Sequence, residues 1–232
     1  MSTDHLKTRG FSMETKKMIF GVMALAMGIV SFGFGGESLW YVHTGASKAV
    51  SPSDFKDTYV QGFNVGGMYG YRLPSQMEFQ IGLHYNNFSF DRAGFIDVLR
   101  TKGIVKSEED EPYLNVDGGG AYALNFYLNV KKFFPPPEDR RLGFYVYLGG
   151  GWFWLKKNAI TASEYEQREI LPNGEYAVPK ISKSGLGIGG GIGLDIFLDE
   201  HSNFFFDVGL STGFLEETHV FLPVKFGVLI RP

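Results

Sequence analysis

The chain has 232 residues, carries 22 Lys and Arg against 25 Asp and Glu, and contains no cysteine. A formal charge of −3 excludes the strongly basic surface that nucleic acids demand, and the lack of cysteine excludes disulfides and thiolate metal sites. With 16% aromatic residues, 31 glycines and an ordinary 20% of charged residues, the composition fits one large β domain and not a disordered chain.

The N-terminal 36 residues read as a secretory signal peptide. Lys16 and Lys17 form a basic start, and an apolar run follows from Met18 to Val30. Small residues at Gly33 and Gly35 then suit a cleavage site. The competing reading is an uncleaved anchor, for which the run is short and glycine-rich. Residues 1–12 precede a second methionine, Met13, and are either an overcalled start or a longer basic region. Four of the basic and two of the acidic residues lie in 1–36, which leaves 37–232 at −5. That remainder is expected to be a single barrel domain.

From residue 37 onward, bulky apolar side chains alternate with small or polar ones. Period two places successive side chains on opposite faces of a strand. The first candidate, 38–45, is short and weakly patterned. The second, 59–72, sets Phe63, Val65, Gly67, Tyr69 and Tyr71 against Asn64, Gly66, Met68, Gly70 and Arg72. A tight turn at 73–76 contains Pro74, and a third strand follows over 77–90 with Phe79, Ile81, Leu83 and Tyr85 opposite Glu78, Gln80, Gly82 and His84.

A long polar loop is expected at 91–115. The fourth strand, 116–133, opposes Tyr122, Leu124, Phe126, Leu128 and Val130 to Ala123, Asn125, Tyr127, Asn129 and Lys131, and Pro135-Pro136-Pro137 ends it. The fifth, 142–155, alternates Leu142, Phe144, Val146, Leu148, Trp152 and Trp154 with Gly143, Tyr145, Tyr147, Gly149 and Gly151. A second long polar loop covers 156–183. Strands six (184–198), seven (203–214) and eight (218–230) continue the pattern, with a turn at 199–202.

Eight strands with short turns after the second, fourth and sixth fit an all-β, antiparallel, up-and-down transmembrane barrel, and an even count puts both termini on one side. The first strand is needed for that parity. Arg72, Glu78, Lys131, Asp195, Asp207 and Lys225 all share a face with the small residues, so a register shift by one would aim them at lipid. Three are basic and three acidic, and an eight-stranded lumen is narrow enough to be filled by side chains. A packed, ion-paired interior is the expectation. Aromatic girdles are expected at Tyr69, Tyr71, Phe204 and Phe206 near the short turns, and at Tyr85, Tyr122, Trp152 and Trp154 near the long loops. The rival arrangement is a soluble lipocalin-like barrel, which would bury the bulky aromatics and wet the glycine face.

Trp40-Tyr41-Val42, Gly62-Phe63-Asn64-Val65-Gly66-Gly67, Tyr69-Gly70-Tyr71-Arg72-Leu73, the glycine-rich 185–195 and the closing 222–230 together resemble the outer-membrane β-barrel domain family. Its small members include the OmpA transmembrane domain and OmpX. The resemblance implies an outer-membrane location with periplasmic termini, surrounding outer-membrane lipids, and insertion by barrel-assembly machinery with periplasmic chaperones. Such barrels usually end on an aromatic residue, whereas this chain ends Ile230-Arg231-Pro232, with Phe226 and Ile230 nearest that role.

Motifs for chemistry are sparse. His201-Ser202-Asn203 faintly resembles the His–Ser pair of outer-membrane lipid A deacylases, but adjacent residues on a strand face opposite ways and cannot form a nucleophile–base pair. His84 and His219 read as lumen and loop residues. Gly187–Gly193 has glycine at alternate positions with no helix following, which is not a phosphate loop. The acidic run Glu108–Glu111 and the segment Tyr165–Glu169 read as solvated loop. The expected function is a non-enzymatic barrel without cofactor or metal, engaging any extracellular partner through 91–115 and 156–183. A narrow pore and a lipid-modifying enzyme are the alternatives.

Overall fold

Eight strands close into a ring because each presents its larger apolar side chains to one face only, and the ring leaves no strand edge unpaired. The computed structural model describes residues 35–136, 141–165 and 168–232; most of the expected signal segment therefore lies outside the described residues. The wall strands are β1 (Glu37–Ser51), β2 (Gly62–Arg72), β3 (Met77–Phe88), β5 (Ala121–Phe134), β6 (Leu142–Lys157), β9 (Ile181–Phe197), β10 (Ser202–Phe214) and β11 (Thr218–Ile230). Each pairs antiparallel with its neighbours in chain order, and β1 closes the ring on β11 from Trp40↔Ile230 to Ser51↔Val220. The β10–β11 ladder skips between Val208↔Val224 and Ser211↔Phe221, where Pro223 has no N–H to donate.

The first strand is far longer than the expected 38–45. Its inward residues Leu39, Tyr41 and Ala49 are themselves apolar, which flattens the alternation. The expected fourth strand divides in two. Its head, β4 (Leu114–Gly118), leaves the wall before Gly119 and Gly120 and pairs instead with β7 (Ile160–Glu164), which pairs with β8 (Glu175–Val178). The tight turn 73–76 closes with Gln76 at φ 63° and an N–H from Leu73 to the Met77 carbonyl at 2.8 Å.

The two expected polar loops are folded. Residues 92–101 form helix α2 (Arg92–Thr101), capped by the Asp91 carboxylate accepting from the Ala93 N–H at 3.1 Å. Phe95, Ile96, Val98 and Leu99 give it a buried face. With the short helix α1 (Ser53–Thr58), a 3₁₀ turn at Glu108–Tyr113 and the β4–β7–β8 sheet, it builds a cap over the long-loop end. Phe55, Leu99, Leu114, Ile160 and Leu171 of the cap share one core with Phe88, Phe153 and Phe221 of the wall. Phe55 meets Phe88 at 5.1 Å, and Phe88 meets Phe221 at 5.4 Å.

Candidate functional site

Outward and inward faces differ in kind. Leu148, Leu186, Val42, Ile192 and Trp40 are all more than half exposed, whereas Arg72, Glu78, Lys131, Asp195, Asp207 and Lys225 are all buried in the interior. Water could not hold so much apolar surface outside and so much charge inside; a hydrocarbon surround reverses the preference. From Leu142 to Trp154, at roughly 3.3 Å per residue and a tilt of about 40°, the apolar row of β6 rises about 30 Å. That matches a bilayer's hydrocarbon core.

The six charged residues fall into two groups. In the first, four donors converge on Glu78. The Tyr41 hydroxyl donates to Oε1 at 2.6 Å and Gln80 Nε2 at 2.8 Å, while Arg72 Nε and Nη2 reach Oε2 at 3.1 and 2.9 Å. Asp195 lies 3.9 Å from Arg72 and 3.8 Å from Lys131, held by charge without a hydrogen bond. Lys131 Nζ sits 3.6 Å above the Tyr145 ring, and Arg72 packs over Phe133 at 4.5 Å.

The second group is Asp207 and Lys225, 3.3 Å apart. The Tyr147 hydroxyl accepts from Lys225 and donates to Asp207, both at 3.3 Å. Tyr145 joins the groups: its ring carries Lys131 while its hydroxyl donates to Asp207 at 3.3 Å. Both tyrosines fit because glycine lies directly opposite each on the neighbouring strand β9. A Cβ on Gly193 would meet Tyr145 Cζ at 2.2 Å, and one on Gly191 would meet the Tyr147 hydroxyl at 2.8 Å.

Sequence reasoning put Asn64, Gln80 and His84 on the inward face but missed Tyr41, His43 and Ser47 and the polar layer they complete. His43 Nε2 and His84 Nδ1 stand 2.8 Å apart, the Ser47 hydroxyl donates to Asn86 at 2.8 Å, and Asn64 Nδ2 donates to the Ala46 and Val224 carbonyls at 2.7 and 3.0 Å. The signal was there: once β1 is extended, Tyr41, His43 and Ser47 fall on the inward alternate set. A cavity of about 30 Å³ lies among Asn125, Tyr127, Asn129, Lys225 and their neighbours. It is room for two or three waters at about 10–15 Å³ each, and far from a channel.

The expected girdle residues stand in two rows. Near the long loops, Tyr85–Tyr122 and Tyr122–Trp154 centroids are 6.1 and 5.8 Å apart, and Trp152 faces outward beside them. Near the short turns, Tyr69 meets Trp40 at 5.1 Å, a residue absent from the expected set; Phe204 and Phe206 also point outward. Tyr71 departs from the expectation. Its register opposite Ser38 and Phe79 is outward, but it is 8% exposed and buried.

The remaining motifs resolve into local structure. Ser202 donates its hydroxyl to Asp199 at 2.8 Å, the His201 N–H donates to the same oxygen at 2.8 Å, and both bonds hold the Asp199 carboxyl below the usual carboxylate range. His219 Nδ1–H donates to the Glu217 carbonyl at 2.9 Å and packs on Phe55. The acidic run is tied to arginines: Glu108 and Glu111 to Arg100 at 3.6 and 3.8 Å, and Glu111 to Arg92 at 3.8 Å. Arg168 stacks on Tyr113 at 3.5 Å. Among the described residues, no group of three His, Cys, Asp or Glu could hold a metal.

A closed ring of eight antiparallel strands, apolar without and charge-paired within, defines a small up-and-down transmembrane β-barrel. No protein-family model and no curated protein sequence matches the chain. Solved structures do. Neisserial surface protein A is similar at 11% identity and a TM-score of 0.47, over 84% of this chain and 97% of the other. A major outer membrane protein from Thermus thermophilus gives 13% and 0.46, over 84% and 99%. The N-terminal β-barrel domain of Pseudomonas aeruginosa OprF gives 13% and 0.42, over 85% and 99%.

Proposed function

We propose that the protein is an integral barrel of a bacterial outer membrane, non-enzymatic, with a sealed lumen and a structural or surface-interaction role. The apolar belt between two aromatic rows carries this reading, because it suits hydrocarbon and nothing else. Among the described residues no helix is long and apolar enough to cross a membrane, so the strands are their means of crossing, and closed barrels of this kind belong to outer membranes. The sealed lumen rests on the Tyr145–Asp207 and Arg72–Glu78 ties at one level and on the Phe88, Phe153 and Phe221 core at the other. A partner would meet the folded cap, 91–115 and 156–183, since rigidly held connections are suited to recognition. The termini would face the periplasm, on the side of the short turns.

Fractionation with gel mobility before and after boiling tests the location. A heat-modifiable band in the outer membrane is expected, and recovery in the soluble periplasm would overturn the reading. Planar-bilayer recording of pure protein tests the seal: steady, resolved conductance would replace it with the pore. Unchanged lipid A mass on expression is expected, and a mass change abolished by His201→Ala would replace it with the enzyme.

A further inference from the structure

His219 sits where the cap meets the wall. It is the second residue of β11, only 5% exposed, and its ring meets Phe55 of α1 at 5.3 Å. Lys157 Nζ lies 5.2 Å from the centroid of the same Phe55 ring. One buried aromatic side chain of the cap thus meets two basic side chains of the barrel mouth. The protonation of His219 follows from its bonds. Nδ1 lies 2.9 Å from the Glu217 carbonyl, which can only accept, so the neutral ring carries its proton on Nδ1 and a lone pair on Nε2. Nε2 is buried and, among the described residues, has no hydrogen-bond partner. A second proton would place an N–H and a full charge where nothing accepts them. The surrounding charges do not compensate. Lys157 of β6 and Lys183 of β9 oppose an imidazolium, and Glu217 attracts it from the adjoining turn. Glu216 is already paired with Lys183, Asp54 of α1 with Lys102 at 2.6 Å, and Lys56 with Asp57 at 3.5 Å. The facing residue on β10 is Gly213, which brings no charge.

We propose that His219 is an acid-sensitive latch: its neutral ring holds Phe55 and the cap on the barrel mouth, and a proton taken up at Nε2 releases the cap while the wall stays closed. The wall does not need the cap, because its ring closes through β1 and β11. The seated cap favours the neutral imidazole, so the released state binds one more proton. Seating is therefore complete above about pH 6.5, the ordinary histidine value, and weakens below it. The seated-to-released ratio falls by up to about tenfold per pH unit in that range.

Backbone hydrogen exchange of the full chain in phosphatidylcholine vesicles, read by mass spectrometry and corrected for the intrinsic effect of pH, tests the latch. Between pH 7.5 and 5.5, exchange in the cap helices α1 and α2 should rise about tenfold in wild type, with the wall strands β2 and β10 unchanged. His219→Gln cannot take up the proton and should exchange equally at both pH values. His219→Phe, which fills the same space without a titrating nitrogen, should be equally flat and serves if the glutamine variant does not fold. His201→Gln, in an exposed turn at the other end of the barrel, should respond as wild type does. A flat wild type, a full response in either His219 variant, or loss of the response in His201→Gln would overturn the proposal. So would a wall that exchanges together with the cap, since that is unfolding and not release. Gel mobility before and after boiling, read at both pH values, separates the two.

Discussion

Glu78 is fully buried, and its charge is tolerable only because Arg72, Tyr41 and Gln80 all donate to it. Glu78→Gln keeps the shape but puts an amide donor among donors and leaves Arg72 short of a counter-charge. A loss of about 3–5 kcal/mol in unfolding free energy is expected. Urea titration in vesicles measures it, and a loss under about 1 kcal/mol would mean that Glu78 is not essential to the stability of the network. Gly193 makes the complementary case, since any Cβ there enters the Tyr145 ring. Gly193→Ala should cost about 1–3 kcal/mol, and Tyr145→Ala in the same chain should recover part of that cost. Purely additive losses would show that the two positions do not meet.

At the scale of elements, the cap is the part that the alternation rule could not read. Helix α2 shows its period in Phe95, Val98 and Leu99, and Asp91 stands ready as a cap, but both lie inside a stretch whose charges read as solvated loop. Tyr59, which bridges to Phe90 beneath the cap, reports on this element. Burial pushes its hydroxyl from 10.0 up to about 12. The neutral form is favoured in the folded protein, so the contribution is complete below pH 10 and is lost as pH rises through about 12. Thermal unfolding followed between about pH 9 and 12 should therefore fall more steeply for wild type than for Tyr59→Phe. Parallel curves would mean that the cap does not bury this hydroxyl.

For the whole molecule, the surrounding medium decides what an exposed residue costs. Leu148 on β6 and Tyr165 in the cap are both 68% exposed. In water, arginine at either position would be harmless. In a bilayer, Leu148→Arg should cost about 2–4 kcal/mol while Tyr165→Arg costs nearly nothing. Folding equilibria in vesicles compare the two, and equal, small effects would favour a soluble barrel.

Period-two alternation determined seven of the eight wall strands, their inward and outward faces, the short turns and the confinement of six charged residues to one side, while the parity of turns supplied the first strand. The alternation could do so because a strand's two faces are fixed by local backbone geometry, and a one-residue slip would put Lys131 or Asp195 into lipid. Tertiary structure alone decided which charges meet. Arg72 and Glu78 face each other on paired strands, but Arg72 on β2 and Asp195 on β9 stand on opposite walls and come within 3.9 Å only because the ring closes. It also decided that the expected loops become a cap, since Phe55, Leu99 and Leu171 find partners only at the mouth of a barrel already formed. Local periodicity reports the direction of a side chain; which side chain it faces across the lumen depends on closure.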